Sequence, residues 1–365
     1  MKHFQHQDLQ QFTERVFLKM GCPAEDAAQA ASVLVAADLR GIDSHGVARL
    51  VGYVRLWEKK RINTKPNIRI VHESPSTAVV DADEALGLVA APRAMEIAIR
   101  KAEHAGTGWV AVRNSNHFGI AGYHAMMALP HGMIGQAMTN ASPLVAPTFS
   151  AERLLGTNAL ALAIPAGSSP AFVADFATTT VANGKLEILQ RKKELAPFGW
   201  IHNRHGQPTQ DPTALSEGGA LLPLGSDRER GSHKGYSLGA WVDILSGVLS
   251  GANYGPWVPP FVSFLAPAGS LPGQGIGHFL GAMRIDAFRP ADEFRQHMDQ
   301  WINRFRSSKT IDGQQKVLIP GDPERETEAQ RKETGIPLLE PVVQDLQSLA
   351  ARFKVLFPGG IEIKN

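Results

Sequence analysis

Trp109-Val110-Ala111-Val112-Arg113-Asn114-Ser115-Asn116-His117-Phe118-Gly119 is the stretch whose reading decides the fold. Trp109 to Val112 are aromatic, β-branched or small and apolar, and Gly106 and Gly108 bound them upstream, so they read as a short buried strand. Polarity then inverts, and two amides, a hydroxyl and an imidazole follow within five residues. Open α/β sheets place their ligands just past such strand ends. Imidazole is also the side chain best suited to exchanging protons near neutral pH. Upstream, Gly106-Thr107-Gly108-Trp109-Val110-Ala111 carries the letters of the dinucleotide fingerprint G-x-G-x-x-G/A. That fingerprint must follow a strand and open a helix, whereas this one follows a helix and opens a strand. It is therefore a turn. With no G-x-x-x-x-G-K-[ST] either, a standard Rossmann or P-loop site is not supported.

Working outward, 365 residues suffice for a large core, expected as two lobes. Hydrophobic residues at 43% and charged residues at 20% describe an ordinary globular protein. A net charge of +2 gives no general basic character, which argues against a nucleic-acid partner. The single cysteine, Cys22, excludes an internal disulfide and a thiolate metal cluster and fits a reducing compartment. The first residues lack the apolar core of a signal peptide. The most apolar long segment, Tyr236 to Ala252, is too short and too polar to span a bilayer. A cytoplasmic protein without membrane contact is expected.

Apolar spacing predicts helices around Leu9 to Phe17, over Glu25 to Arg40 and over Val47 to Lys60. Ala78 to Val80 reads as a strand, and Leu86 to Ala105 as a helix stopped by Gly106. After the Trp109 strand come a helix from about Ile120 to Leu129 and strands at Ile134 to Met138, Leu160 to Ile164 and Phe172 to Asp175. A helix over Thr178 to Glu194, a Gly/Pro-rich loop to Ser232 and a helix over Tyr236 to Leu249 follow. Strands are expected at Phe261 to Leu265 and Phe279 to Ile285, then helices after Arg289 with one strand at Val317 to Ile319. Helical ends around an α/β middle suggest a discontinuous second lobe built from both termini.

Several clusters carry chemistry. Asp43-Ser44-His45-Gly46-Val47-Ala48-Arg49 opens the expected third helix, with Asp43 or Ser44 as its cap. His45 and Arg49 are four apart, hence on one face, and with free helix N–H groups they make a receptor for a small carboxylate. The bland alternative is a cap whose Arg49 forms a surface ion pair. Thr139-Asn140-Ala141-Ser142-Pro143 and Gly156-Thr157-Asn158 put small polar residues at strand edges. Asp175 ends a strand and either orients His117, binds a hydroxyl or caps a helix. Gly231-Ser232-His233-Lys234-Gly235 precedes a helix, an anion-friendly arrangement. His202-Asn203-Arg204-His205 has a conceivable metal spacing but no carboxylate pair beside it, so no metal is expected. No G-x-S-x-G elbow accompanies the histidines, which disfavours an acyl-transfer triad.

Six of these segments, spread in order over most of the chain, resemble the type 2 malate/L-lactate dehydrogenase family of NAD(P)-dependent oxidoreductases. They are Asp43-Ser44-His45-Gly46 with Arg49, Ser115-Asn116-His117-Phe118-Gly119, Gly156-Thr157-Asn158, Asp175 to Lys185, His233-Lys234-Gly235, and Pro320-Gly321. The resemblance implies an α/β, non-Rossmann fold. A central mixed-sheet lobe, residues 71–286, would bind NAD or NADP. A mainly helical lobe, residues 1–70 and 287–365, would give substrate contacts and dimerisation. It also implies a homodimer with active sites where subunits and lobes meet.

By the same resemblance His117 is the proton donor and acceptor, with Asp175 and His45 in the catalytic set. Ser44, Arg49, Asn116 and Thr157 contact a small carboxylate substrate. Asn140, Pro143, Asp175, Phe176, Ala177, Lys185, His233, Lys234, Gly235 and Gly321 contact the coenzyme. Family members typically carry Pro-Gly-Glu where this chain has Pro320-Gly321-Asp322, a shorter acid. The expected reaction moves a hydride between nicotinamide C4 and C2 of a 2-hydroxy acid. His117 moves the hydroxyl proton, Arg49 and His45 hold the carboxylate, and Asp175 or the Asn116 amide orients the imidazole. Two rivals are a ketimine reductase acting on a cyclic imino acid and a non-catalytic anion-binding protein.

Overall fold

A computed structural model describes residues 2–360 of the chain. Strand β1 (Lys2–Phe4) leads into helices α1 (His6–Met20), α2 (Ala24–Leu39) and α3 (Leu50–Glu58). Leu9, Phe12, Val16 and Phe17 recur at helical spacing along α1 and are all buried, which seats that helix on the first core. Strands β2 (Arg69–Glu73) and β3 (Thr77–Asp81) pair, and α4 (Gly87–Ala105) crosses to β4 (Thr107–Ser115). Next come α5 (Ala121–Met126), β5 (Met133–Thr139), β6 (Ala159–Ile164), β7 (Phe172–Phe176) and α6 (Asn183–Lys192). Three two-residue strands, β8 (Ile201–His202), β9 (Pro208–Thr209) and β10 (Ala220–Leu221), form a small sheet of their own. The chain continues through α7 (Ser232–Asp243), β11 (Ile276–Arg284), α8 (Ala291–Arg306) and α9 (Asp322–Thr334) to β12 (Ile336–Leu338) and α10 (Glu340–Phe353).

The main sheet has seven strands in the order β2-β3-β4-β11-β5-β6-β7. Only β3 and β4 run parallel, joined by the α4 crossover; every other neighbour is antiparallel. α4 and α5 cover one face through buried alanines, among them Ala90, Ala94, Ala98 and Ala125. Small residues bring helix and strand close: a Cβ on Gly108 would lie 1.9 Å from the Ala98 carbonyl oxygen. The two termini meet where β1 pairs with β12, and α10 packs against α1 and α3. Helix α8 stands apart from that cluster. Its Asp299 accepts N–H bonds from Gly167, Ser168 and Ser169, and its Trp301 packs edge-on to Phe172.

Several expected boundaries move. Residues 47–60 do not form one helix: two short 3₁₀ turns, Asp43–His45 and Val47–Arg49, precede α3. The helix expected from Thr178 begins at Asn183, and the one expected from Tyr236 begins at Ser232 and passes into a π-turn at Ile244–Val248. No strand forms at 261–265, because backbone groups there bond side chains: Phe261 N–H donates to Ser142 Oγ and its carbonyl accepts from Arg55. No strand forms at 317–319 either. Ile319 N–H donates to the Asp322 carboxylate instead of a neighbouring strand. Strands β1, β2, β8, β9, β10 and β12 are not legible from the sequence pattern.

Candidate active site

β4 runs three residues beyond its apolar core, so Arg113 to Ser115 belong to the strand and the polar loop begins at Asn116. The Asn116 amide donates to the carbonyls of Arg61, Glu84 and Ala85 at 3.3, 3.0 and 3.0 Å. Those bonds fix the loop; they leave no amide proton for His117. The start of α4 presses on the same turn. A Cβ on Gly87 would lie 2.1 Å from the Asn116 carbonyl oxygen, so glycine is required there. Gly119, at φ +81°, turns the chain into α5.

The His117 ring is held by residues from the helical segment. Its Nδ1 lies 2.6 Å from the Tyr53 hydroxyl, and the same hydroxyl lies 3.4 Å from the His117 carbonyl. The Phe261 ring lies against it at 4.5 Å, and the His45 ring stacks on it at 5.6 Å with 20° between planes. Burial, then the neighbouring His45, Arg49, His278 and Arg61, holds the His117 pKa well below the usual histidine value. Burial and Arg49 likewise lower His45, to about 3. The site thus holds two neutral imidazoles at neutral pH. Tyr53 is fully buried, and burial raises its hydroxyl pKa, so it too stays neutral.

The Asp-Ser-His-Gly segment is shaped from below by a carboxyl. Asp38 Oδ2 accepts the Val47 N–H at 2.8 Å, while Oδ1 is buried without a partner. A Cβ on Gly46 would lie 1.8 Å from that Oδ1. Gly46 therefore breaks the helix that would have put His45 and Arg49 on one face. The expected caps are also absent: neither Asp43 nor Ser44 bonds a helix N–H, and Asp43 pairs with Arg331. Arg49 still reaches the site. Its Nε donates to the Ser44 carbonyl at 2.5 Å, and its Nη2 lies 3.8 Å from Glu187 on α6. The start of α6 walls this corner, since a Cβ on Gly184 would lie 2.7 Å from Ser44 Cβ. Ser44 Oγ bonds His45 Nδ1 at 2.9 Å. Ser44, His45, Arg49, His117 and the start of α6 are thus one cluster.

Asp175 does not orient the imidazole. Its Oδ2 accepts the Gly122 N–H at 2.7 Å, and burial pushes its pKa up to about 6. The side chain that contacts the His117 ring in the place expected of Asp175 or Asn116 is Tyr53. Asn140 cannot offer its amide protons to a coenzyme, because both go to Asp243 and the Asn253 carbonyl. The Thr157 carbonyl is taken by Thr178. Asp322, in place of the family's glutamate, is held by Arg306, Arg325 and the Ile319 N–H. Gly321, at φ +96°, opens α9 beside β7, where Pro320 accepts the Val173 N–H. Pro143 and Ala177 are half-buried and Phe176 is exposed.

The residues expected at the coenzyme divide between exposed lysines and backbone packing. Lys185 and Lys234 are exposed and form no ion pair among the described residues. The His233 ring bonds Arg228, and Gly235 packs on Leu224, whose carbonyl oxygen a Cβ would meet at 2.3 Å. Two exposed ammonium groups with no carboxylate to neutralise them fit the phosphates of a dinucleotide. Sequence reasoning missed Tyr53, Phe261, Asp38 and Glu187. Of these, only Tyr53 left a signal, its place four residues after Arg49.

Comparison with known proteins matches this architecture. A family model described as malate/L-lactate dehydrogenase covers residues 4–347. Malate dehydrogenase from Pyrococcus horikoshii is 44% identical over 345 residues, 94% of this chain and 93% of that protein. Its structure superposes with a TM-score of 0.89 at 41% identity, covering 98% and 97% of the two chains. L-sulfolactate dehydrogenase from Methanocaldococcus jannaschii is 39% identical over 87% of this chain and 88% of that one. The structure of Δ1-piperideine-2-carboxylate reductase from Pseudomonas syringae aligns with a TM-score of 0.80 at 27% identity, covering 96% and 100%.

Proposed function

This chain belongs to the malate/L-lactate dehydrogenase family, and we propose that within it the chain interconverts a small 2-hydroxy acid and its 2-oxo acid with NAD or NADP. It is an oxidoreductase acting on hydroxy acids. The malate and sulfolactate dehydrogenases among its relatives support a substrate with a second acidic group beyond the carboxylate. A bound nicotinamide dinucleotide would supply or accept the hydride at C2. Lys185 and Lys234 would hold its phosphates, with the end of β7 and the Gly321 turn beside it.

Everything else falls to the chain itself. Arg49 grips the substrate carboxylate through its two terminal nitrogens, in competition with Glu187 and with His45 beside it, and this orientation contributes several kcal/mol to lowering the barrier. The observation that carries the reading is the Tyr53 hydroxyl 2.6 Å from His117 Nδ1. Nδ1 is engaged by the Tyr53 hydroxyl at 2.6 Å, with the Gly119 N–H further off at 3.4 Å, so Nε2 is the atom left to face substrate; to act as a base there the ring takes the tautomer in which Nδ1–H donates to Tyr53. In oxidation, neutral His117 takes the hydroxyl proton at Nε2. In reduction, the imidazolium returns it to the carbonyl oxygen.

His117→Ala tests this. Turnover of oxaloacetate or pyruvate should fall by about 10²–10⁴-fold while coenzyme binding, read by fluorescence, persists. Unchanged turnover refutes the assignment. The piperideine-carboxylate reductase likeness supports a second reading, because reduction of a cyclic imino acid needs the same clamp and acid. Turnover of Δ1-piperideine-2-carboxylate without turnover of any 2-oxo acid would select it.

A homodimer in the cytoplasm completes the proposal. Trp241, Ile244, Val248 and Leu249 are 43 to 56% exposed along α7 and its π-turn. Trp241 and Leu249 line an apolar groove of about 510 Å³ over β3, β4 and β11. Sedimentation as a monomer would remove the dimer.

A further inference from the structure

Beneath the catalytic loop lies a polar group the reaction does not use. His278 sits on β11, the strand between β4 and β5, opposite Val112 on one side and Thr139 on the other. It is completely buried, yet both ring nitrogens are bonded. Nε2 lies 2.8 Å from Ser115 Oγ, at the end of β4, and Nδ1 lies 2.7 Å from Thr139 Oγ1, at the end of β5. Thr139 Oγ1 also has the carbonyls of Asn140 and Gly277 in reach, at 3.0 and 3.1 Å. The chain of bonds is satisfied when Ser115 donates to Nε2, Nδ1–H donates to Thr139, and Thr139 donates to a carbonyl. One neutral imidazole thus ties three strand ends.

The two outer ends are not equivalent pieces of scaffold. β4 ends in Ser115 and passes directly into Asn116 and His117. β5 ends in Thr139 and passes into Asn140 to Pro143, at the edge where the coenzyme is expected. The ring also stacks on Phe118 at 4.8 Å and 17°, and the other neighbour of Phe118 is the buried His124 at 4.6 Å. His278 therefore holds the strand end that leads into the catalytic loop by a hydrogen bond and the loop itself by a ring contact.

We propose that His278 is a positioning residue for the proton-transfer step. Its imidazole fixes the end of β4 against the end of β5, and so fixes His117 relative to the coenzyme-facing edge. The inference rests on the assignment of proton transfer to His117.

The test uses two variants of the full chain. His278→Phe keeps a flat ring against Phe118 but removes both hydrogen bonds, whereas His278→Gln offers an amide donor and acceptor at similar spacing. In His278→Phe, kcat should fall by about tenfold or more, with KM for the 2-oxo acid within about threefold. In His278→Gln, kcat should stay within about threefold. Amide hydrogen exchange, measured without coenzyme or substrate, should speed up at both 116–119 and 140–144 in His278→Phe and at neither in His278→Gln. Should His278→Phe not fold, Ser115→Ala cuts the β4 arm alone and should lower kcat and loosen 116–119. Full kcat in His278→Phe, equal damage in both His278 variants, or loosening of one segment only overturns the proposal. Failure of His117 variants to lose activity would instead overturn the functional reading, and the exchange pattern would still decide the tie.

Discussion

Replacing Tyr53 by Phe removes one oxygen and changes little else. The ring stays edge-on to Phe261 at 5.2 Å and to Phe17 at 6.3 Å. What is lost is the hydroxyl 2.6 Å from His117 Nδ1, leaving only the Gly119 N–H at 3.4 Å near that atom. A hydrogen bond to neutral imidazole is worth about 1 kcal/mol, and one to imidazolium about 1.5–3 kcal/mol. The difference, about 0.5–2 kcal/mol, stabilises the protonated ring and corresponds to about one pKa unit. Removing it lowers a pKa that burial and the surrounding cations already depress. Reduction requires imidazolium, so its rate is lost as pH rises through this pKa. The descending limb of kcat/KM for the 2-oxo acid should therefore move down by about one unit in Tyr53→Phe. With the tautomer no longer fixed, kcat near neutral pH should fall by about 10–100-fold. Stability, read by chemical denaturation, should change by only about 1 kcal/mol. A profile that keeps its limb, with kcat within about twofold of the parent, would show that Tyr53 does not orient the ring.

Three further outcomes follow from the same geometry. Gly46→Ala places a methyl 1.8 Å from Asp38 Oδ1 and should cost about 1–3 kcal/mol or more in denaturant unfolding; an unchanged midpoint refutes the packing argument. Glu187→Gln removes the carboxylate 3.8 Å from Arg49 that competes with substrate. This half-exposed pair is worth at most about 1 kcal/mol, so KM for the 2-oxo acid should fall by up to about fivefold, and a rise refutes the competition. Stability should also fall as the solution is acidified from pH 6.5 toward 4. His124 and His278 are fully buried with pKa values lowered to about 4 and about 3, so in that window the unfolded chain binds protons there that the folded chain does not. Those two groups give about 3 kcal/mol per pH unit and His45, lowered to about 3, adds about 1.4 kcal/mol, while Asp38 and Asp175, the latter raised to about 6 by burial, each oppose by up to about 1.4 kcal/mol. A denaturation midpoint flat between pH 6.5 and 5 refutes this.

The parts legible in the sequence are those set by neighbouring residues. The Trp109 strand, the alanine-rich α4 and the reversed glycine turn are local patterns, and Gly106 at φ +83° ends α4 where the pattern places the stop. The site depended on contacts the pattern could not carry. His45 and Arg49 have helical spacing, but the Asp38 carboxyl occupies the space a continuous helix would need. Asp175 reads as the partner of His117 because a carboxylate ending a strand is a common partner. Its oxygen goes instead to the Gly122 N–H, and Tyr53, 64 residues away from His117 in sequence, takes the place. Phe261 reads as strand because it is apolar, yet its backbone is spent on Ser142 and Arg55 and its ring forms a wall of the site.

The choice of a tyrosine over a carboxylate as the partner of His117 has a chemical logic. A carboxylate on Nδ1 would hold the ring protonated whether or not substrate were present. Tyr53 is neutral, and the surrounding cations Arg49 and Arg61 push the ring toward its neutral form. The empty site is thus set for oxidation, which needs a free base. A substrate carboxylate arriving at Arg49 reverses that bias. Were that carboxylate to sit about 6 Å from the imidazole, it would add about 3 kcal/mol to the stability of imidazolium at an effective dielectric of about 20. That equals about two pKa units, enough to oppose the depression by burial and by the arginines. On the proposed assignment, a 2-oxo acid would recruit by its own charge the proton that its reduction consumes, and the Arg49 clamp and the His117 ring would be coupled through the field between them.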